Sequence, residues 1–341
     1  MSRRWTAATT FLLSALMGSP TLAADSPNYE KAKREGEVRW YTTNIIDTGV
    51  IPIVTAFEKR YPGVKVIYSR GDSPQTVVKI LNEAKAGRLE ADVVGGTGTS
   101  APLQKAGLLT TYKVMNWDAI PAERKDPNGY WTSNILYFHT PAVNTDLVKA
   151  ADIPAKLEDL LAPKWKGKIA WSTSSLGGPA FIGSVLVGMG QEKGMEFLRK
   201  LAKQEIINLG VSARAAVERV SASEYAVALG ILNFHAQIDA DKGAPIRWLP
   251  LEPILGTFSV EAVLKDAPRP NAARLFVDFL MSEDAARVLA NAGFLPALAS
   301  VPAKTPSLKP EGGNFKANFV TPDFLAENTE KWMALRKELF E

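Results

Sequence analysis

The strongest constraint on this chain is a strand–helix alternation that runs three times without interruption. Val38-Arg39-Trp40-Tyr41 has the branched and aromatic character of a strand. Pro52 then opens a helix in which Ile53, Val54 and Phe57 recur at helical spacing, and Pro62-Gly63 stops it. Val64 to Tyr68 reads as a second strand. Ser73 and Pro74 read as the N-cap and first residue of the next helix; Val77, Ile80, Leu81 and Ala84 share one face, and Gly87 ends it. Ala91 to Val94 supplies a third strand, followed by a glycine loop and a short helix from Ser100. Parallel neighbours need a crossover, so three consecutive βα units predict a parallel sheet covered by helices.

The pattern restarts after a middle section rich in proline and tryptophan. Lys168 to Trp171 reads as a strand, and the stretch Ile169 to Gln191 carries no charge. Its serines, threonine and five glycines fit a strand, a loop and a buried helix better than a lipid-facing span. Helices are predicted around Glu192 to Gln204, after a Ser212 cap, and over Phe234 to Asp241, with a strand at Ala226 to Leu232. Ile135 to Val143 and Phe258 to Leu264 are extended and lie between the halves. If both cross between lobes, the second lobe is inserted in the first. The expected division is 24–138 with 262–300 for lobe 1, 139–261 for lobe 2, and 301–341 as a helical tail packing on a lobe.

The first 23 residues read as an address. Arg3 and Arg4 precede an apolar run from Trp5 to Met17, then Pro20 and the small residues before Ala24, the three parts of a secretory signal cut after Ala23. The run is shorter than the ~20 residues that span a bilayer, so no stable membrane anchor is expected. Without Arg3 and Arg4, the 38 remaining Lys and Arg exceed the 36 acids by only two, too little for a nucleic-acid surface. With no cysteine and only His139 and His235, zinc sites of several His or Cys ligands are excluded.

In open α/β sheets ligands bind beyond the carboxyl ends of the strands. Here those ends are Thr42-Thr43-Asn44, Arg70 to Ser73 with Asp72, Gly95 to Ser100 with Gly96 and Thr97, Ser172-Thr173-Ser174-Ser175, and Asn233-Phe234-His235. They are rich in hydroxyls, amides and glycines, and four of the five run into a helix start, where free N–H groups and the helix dipole favour an anion. Any single loop of this kind is explained by capping and turn chemistry; five converging on one cleft point to a polar ligand site. Gly96-Thr97-Gly98-Thr99-Ser100-Ala101 matches a dinucleotide fingerprint, but it follows the third strand, lacks the acid about twenty residues on, and meets Pro102 at the helix start. No nucleophile elbow, metalloprotease helix or phosphate loop is present. Nothing calls for an enzyme or a cofactor.

Taken in order, Gly36 to Tyr41, Phe57 to Gly63, Ala91 to Gly96, Val143 to Val148, Pro163 to Ile169, Asp266 to Ala273 and Phe276 to Ser282 resemble the periplasmic solute-binding proteins of ABC importers, in the group that includes the ferric-ion-binding proteins. The resemblance implies a type 2 two-lobed α/β fold, each lobe a mainly parallel sheet flanked by helices, joined by two hinge crossings. It also implies a monomer that closes on a solute in the periplasm and delivers it to a membrane permease. In ferric members two adjacent tyrosines follow the strand matching Ala226 to Leu232; here that place reads Asn233-Phe234-His235, with His235 and Asp72 the remaining candidates for a metal. Phosphonates, sugar phosphates and thiamine, taken by other members, suit these loops better. Phe234 would offer an apolar face, and Arg70 or Arg214 a charge-assisted pair for a carboxylate or phosphate.

Overall fold

The computed structural model describes residues 26–173 and 176–341; the signal segment and its cleavage point lie outside them. In chain order the elements are α1 (Tyr29–Glu35), β1 (Glu37–Thr42), a π-helical turn (Ile46–Val50) running into α2 (Ile51–Arg60), β2 (Lys65–Arg70), α3 (Ser73–Lys85), β3 (Val93–Gly96), α4 (Ser100–Lys105) and β4 (Thr132–Asn144). Then come β5 (Ile169–Ser172), α5 (Gly177–Met189), α6 (Gln191–Ala202), β6 (Ile207–Leu209), α7 (Ala213–Ser221), β7 (Val227–Leu232), α8 (Asn233–Asp241), β8 (Ile246–Trp248) and β9 (Ile254–Val263). The chain finishes with α9 (Pro270–Leu280), α10 (Glu283–Asn291), β10 (Leu295–Pro296), β11 (Ala317–Phe319) and α11 (Pro322–Phe340).

The strands lie in the order β2-β1-β3-β9-β4-β7-β5-β6, with β8 and β10 added on β4 and β11 on β9. At one end β1 pairs in parallel with β2 and β3; at the other β5 pairs in parallel with β6 and β7. Between them β9 and β4 run antiparallel to each other and to their outer neighbours β3 and β7. The two extended segments are therefore the centre of one continuous α/β sheet. All ten residues of β9 are buried, so its backbone groups must be paired within the protein. That uniform burial also removes the alternation that would mark a half-exposed strand.

Two cores flank this centre. Trp40 meets Phe276 edge-on at 5.2 Å, and Phe57 meets Phe276 and Phe279 at 5.0 and 5.4 Å, a set drawn from β1, α2 and α9. The second core holds Trp165, Trp171 and Phe181 and includes Leu325 and Trp332 of α11. Trp332 lies on Gly183 of α5, where an added Cβ would sit 2.5 Å from the indole. The tail thus docks on α5. At the return of the chain, buried Asp92 accepts hydrogen bonds from the Arg39 and Arg269 backbone N–H groups at 2.7 and 2.9 Å, and from Arg269 Nε at 2.7 Å. One carboxylate so ties β1 to the start of α9.

Two local readings shift. Asp72, not Ser73, caps α3: its Oδ1 accepts from Gln75 N at 2.9 Å, and the Gln75 side chain closes the box on Asp72 N. Ser73 becomes the first helical residue. Pro102 does not disturb α4, because it falls in the first turn, where no intrahelical N–H is needed.

Candidate functional site

The loops after β1, β2 and β3 meet on one patch. Buried Thr42 Oγ1 accepts from Asn44 N at 3.2 Å, which turns the chain out of β1. Gly96 has φ +143°, and an added Cβ would sit 2.6 Å from Thr43, so glycine is required by the close approach of the β1 loop. Ser73 Oγ accepts from Gly98 N at 3.3 Å. The half-buried hydroxyls of Thr43 and Thr97 form no hydrogen bond among the described residues. The pairing of the glycine loop with Thr43 and Ser73 accounts for its glycines without a dinucleotide.

Asp72 is exposed at the edge of this patch, one carboxylate oxygen committed to its capping bond. Arg70 is also exposed and makes no ion pair among the described residues. Arg214 is already engaged: it donates to Asp239 Oδ1 at 2.6 Å, to Glu218 at 3.1 Å and to the His235 carbonyl at 3.1 Å.

Across the sheet, the ends of β5 and β7 are locked by two glycines. Gly230 has φ +64°, and a Cβ there would lie 1.9 Å from the Gly177 carbonyl oxygen. This contact holds the start of α5 beside the end of β7, next to the start of α8. Neither α5 nor α8 has a side-chain cap on its first turn. Among the described residues their N-cap side chains supply no acceptor for the leading N–H groups, and the two positive dipole ends lie at adjacent strand ends. Ser172 and Thr173 donate their hydroxyl protons to the Val211 and Leu209 carbonyls at 2.6 and 2.9 Å, so neither keeps a proton for an anion. Ser174 lies outside the described residues.

At the start of α8, Asn233 is fully buried and donates through Nδ2 to the Leu308 carbonyl at 2.9 Å. Phe234 is buried against three rings: His235 at 4.3 Å, Phe294 at 5.8 Å and Tyr137 of β4, stacked at 6.1 Å. Asn44 and Phe294 both touch the space over Gly49 in the π-helical turn. The aromatic group thus links the end of β1 to the start of α8. Tyr137, Phe294 and the π-helical turn escape the sequence reading, because they sit on a crossing strand, a post-helical turn and an irregular entry to α2. Phe294 follows Gly293, whose positive φ ends α10, and that is the one local signal that could have drawn attention to it.

A cavity of about 380 Å³ opens beside this group, lined by Thr48, by Phe234 to Lys242 on one face of α8, by Asn291 to Leu295, and by Ala303 to Leu308. Burial, and then the nearby Arg214 cation, lower the pKa of His235 to about 4; burial does the same to His139. Both imidazoles are neutral at pH 7. Among the described residues no three His, Asp or Glu side chains converge to hold a metal ion. Neither His235 nor Asp72 is therefore part of such a group.

Residues 90–328 match the family model described as bacterial extracellular solute-binding protein. Iron uptake protein A1 of Synechocystis sp. is 25% identical over 324 residues, covering 87% of this chain and 86% of that protein. Iron-bound HitA from Pseudomonas aeruginosa superposes with a TM-score of 0.73 at 24% identity, over 89% of this chain and 99% of HitA. The periplasmic binding protein AfuA from Actinobacillus pleuropneumoniae, with fructose-6-phosphate bound, gives 0.69 at 22% identity, over 90% and 99%. The two-lobed α/β fold expected from the sequence is the fold of these binding proteins, and no described helix is long and apolar enough to cross a membrane. Matched over most of its length by the family model, the chain belongs to the bacterial extracellular solute-binding proteins.

Proposed function

We propose that this chain is the periplasmic receptor of an ABC importer for a small organic anion of phosphonate, phosphate ester or carboxylate type. Lobe 1 (24–138 with 262–300) and lobe 2 (139–261) would close about β4 and β9 and hand the solute to an inner-membrane permease. The signal segment would be removed after Ala23, leaving a free monomer. The observation that carries this reading is the pair of uncapped helix starts, α5 and α8, side by side at adjacent strand ends. Two neighbouring helix N-termini favour negative charge and supply N–H donors. Thr43, Thr97 and Ser73 across the sheet would complete the contacts, with Asn44, Gly96, Asn233, Phe234 and His235 shaping the walls. No catalytic step is assigned to any of them.

A second reading is a ferric receptor, using His235, Asp72 and a bound anion. Its support is the iron named for Iron uptake protein A1 and for HitA. Asn233-Phe234-His235 weighs against it, since hard Fe(III) favours several anionic oxygens. Native mass spectrometry of protein purified from the periplasm, compared with its denatured mass, separates the two. An excess mass of an organic anion supports the proposal; an excess of iron, alone or with a small anion, overturns it in favour of the ferric reading.

A further inference from the structure

The cavity beside Phe234 is far larger than a phosphate head or a metal ion requires. At about 380 Å³ it lies within the ~300–1,000 Å³ of small-molecule sites, and a dry cavity of ~150 Å³ already holds a benzene ring. Its apolar lining comes from Phe234, Ile238, Leu295 and Leu308, and it reaches the strand-end loops through Phe234 itself. Charge is confined to three residues. Asp241 accepts a hydrogen bond from Gln237 Nε2 at 2.7 Å, whereas Lys242 and Lys304 are exposed and form no ion pair among the described residues. The unbalanced charge of the wall is therefore positive.

The wall also has three separate origins: the turn after β1, α8, and the segments on either side of β10. Ile238 of α8 lies over Gly293, 3.5 Å from where a Cβ would stand, so α8 and the end of α10 are in contact here. A body filling this space would touch all three segments at once.

We infer that the solute carries a ring-sized apolar body in addition to its anionic head, and that this cavity takes the body while the strand-end loops hold the head. The head assignment rests on the receptor reading above; the ring assignment rests on the cavity alone. Apolar area removed from water supplies affinity without changing the head contacts. Lys242 and Lys304 would favour a body that bears further negative or acceptor groups over a cationic one.

The experiment titrates the mature chain with methylphosphonate and phenylphosphonate, which share one head and charge, by calorimetry. Thr305→Trp fills the cavity from a surface turn, at a side chain that makes no hydrogen bond among the described residues. Phenylphosphonate should bind at least tenfold more tightly than methylphosphonate, and T305W should abolish that advantage while methylphosphonate binding persists. Equal binding of both by the unmodified chain, or a ring advantage that survives T305W, overturns the inference and leaves the anion reading intact. If neither phosphonate binds, the anion reading fails, and saturation-transfer NMR with benzyl alcohol judges the cavity separately. A signal lost in T305W supports the ring site; no signal, or one unchanged by T305W, overturns it.

Discussion

Glu261 is 1% exposed at the centre of the sheet, where β9 lies between β3 and β4. Its carboxyl group accepts hydrogen bonds from Trp40 Nε1 at 2.9 Å and Asn134 Nδ2 at 3.0 Å, covers Gly95, and has no cation within ion-pair distance among the described residues. Burial raises its pKa from the ordinary 4.5 to about 8, against the pull of those two donors. The folded protein therefore keeps a proton that the unfolded chain releases above pH 4.5. Such a group contributes stability at low pH that is lost as pH rises through the folded value, at about 1.4 kcal/mol per pH unit. Between pH 6 and 8 the loss from this one site is about 2–3 kcal/mol. Glu261→Gln removes the titration but leaves one donor facing an amide NH₂, a fixed cost of about 1–3 kcal/mol at every pH. Urea unfolding followed by circular dichroism at pH 6, 7 and 8 should show the unmodified chain losing stability relative to E261Q, so that the two curves converge or cross. Curves that stay parallel would refute the protonated, uncompensated carboxyl.

Gly230→Ala should destabilise by roughly 3 kcal/mol, from the positive φ and the clash with the Gly177 carbonyl, read as a lowered urea midpoint. Asp92→Asn leaves all three N–H donors without an anionic acceptor, at least one of them facing the amide NH₂, and the Arg269 guanidinium without its buried partner; a loss of about 3 kcal/mol is expected by the same measurement. The acid side of the stability curve should follow His139 and His235. Their pKa values are lowered to about 4, so the stability they contribute is present above pH 6.5 and lost as pH falls toward 4, about 3 kcal/mol for each. A flat acid arm in pH-jump unfolding would exclude two imidazoles held neutral by the fold.

The outer elements were legible because each carries its own punctuation. Ser212 and Ser282 cap α7 and α10 as read, and the strands β1, β5 and β7 lie within two residues of their expected bounds. Capping bonds, glycine stops and apolar spacing are local, and a local signal survives without knowledge of the partner. The Asp72–Ser73 pair shows the limit of such signals. Both side chains can cap, and the choice fell to Asp72 because Gln75, three residues on, closes the reciprocal bond. The central strands were recognised as extended but not as sheet neighbours. Buried on both faces, β9 shows no alternation, and its flanking partners β4 and β3 lie 116 to 170 residues away along the chain.

At the candidate site, the strand-end loops can be marked in the sequence, whereas the direction of each hydroxyl depends on carbonyls from distant segments. Ser172 and Thr173 look like anion donors in sequence, yet their protons go to Val211 and Leu209. Asn233 is the sharper case. In the stretch where the resemblance to ferric proteins would place two tyrosines, this chain reads Asn233-Phe234-His235, and the Asn233 amide N–H bond runs to the Leu308 carbonyl, joining α8 to the turn that walls the cavity. The Asn233 bond thus fastens the start of α8 to a wall of the cavity, and an amide there offers no anionic oxygen of the kind that hard Fe(III) favours.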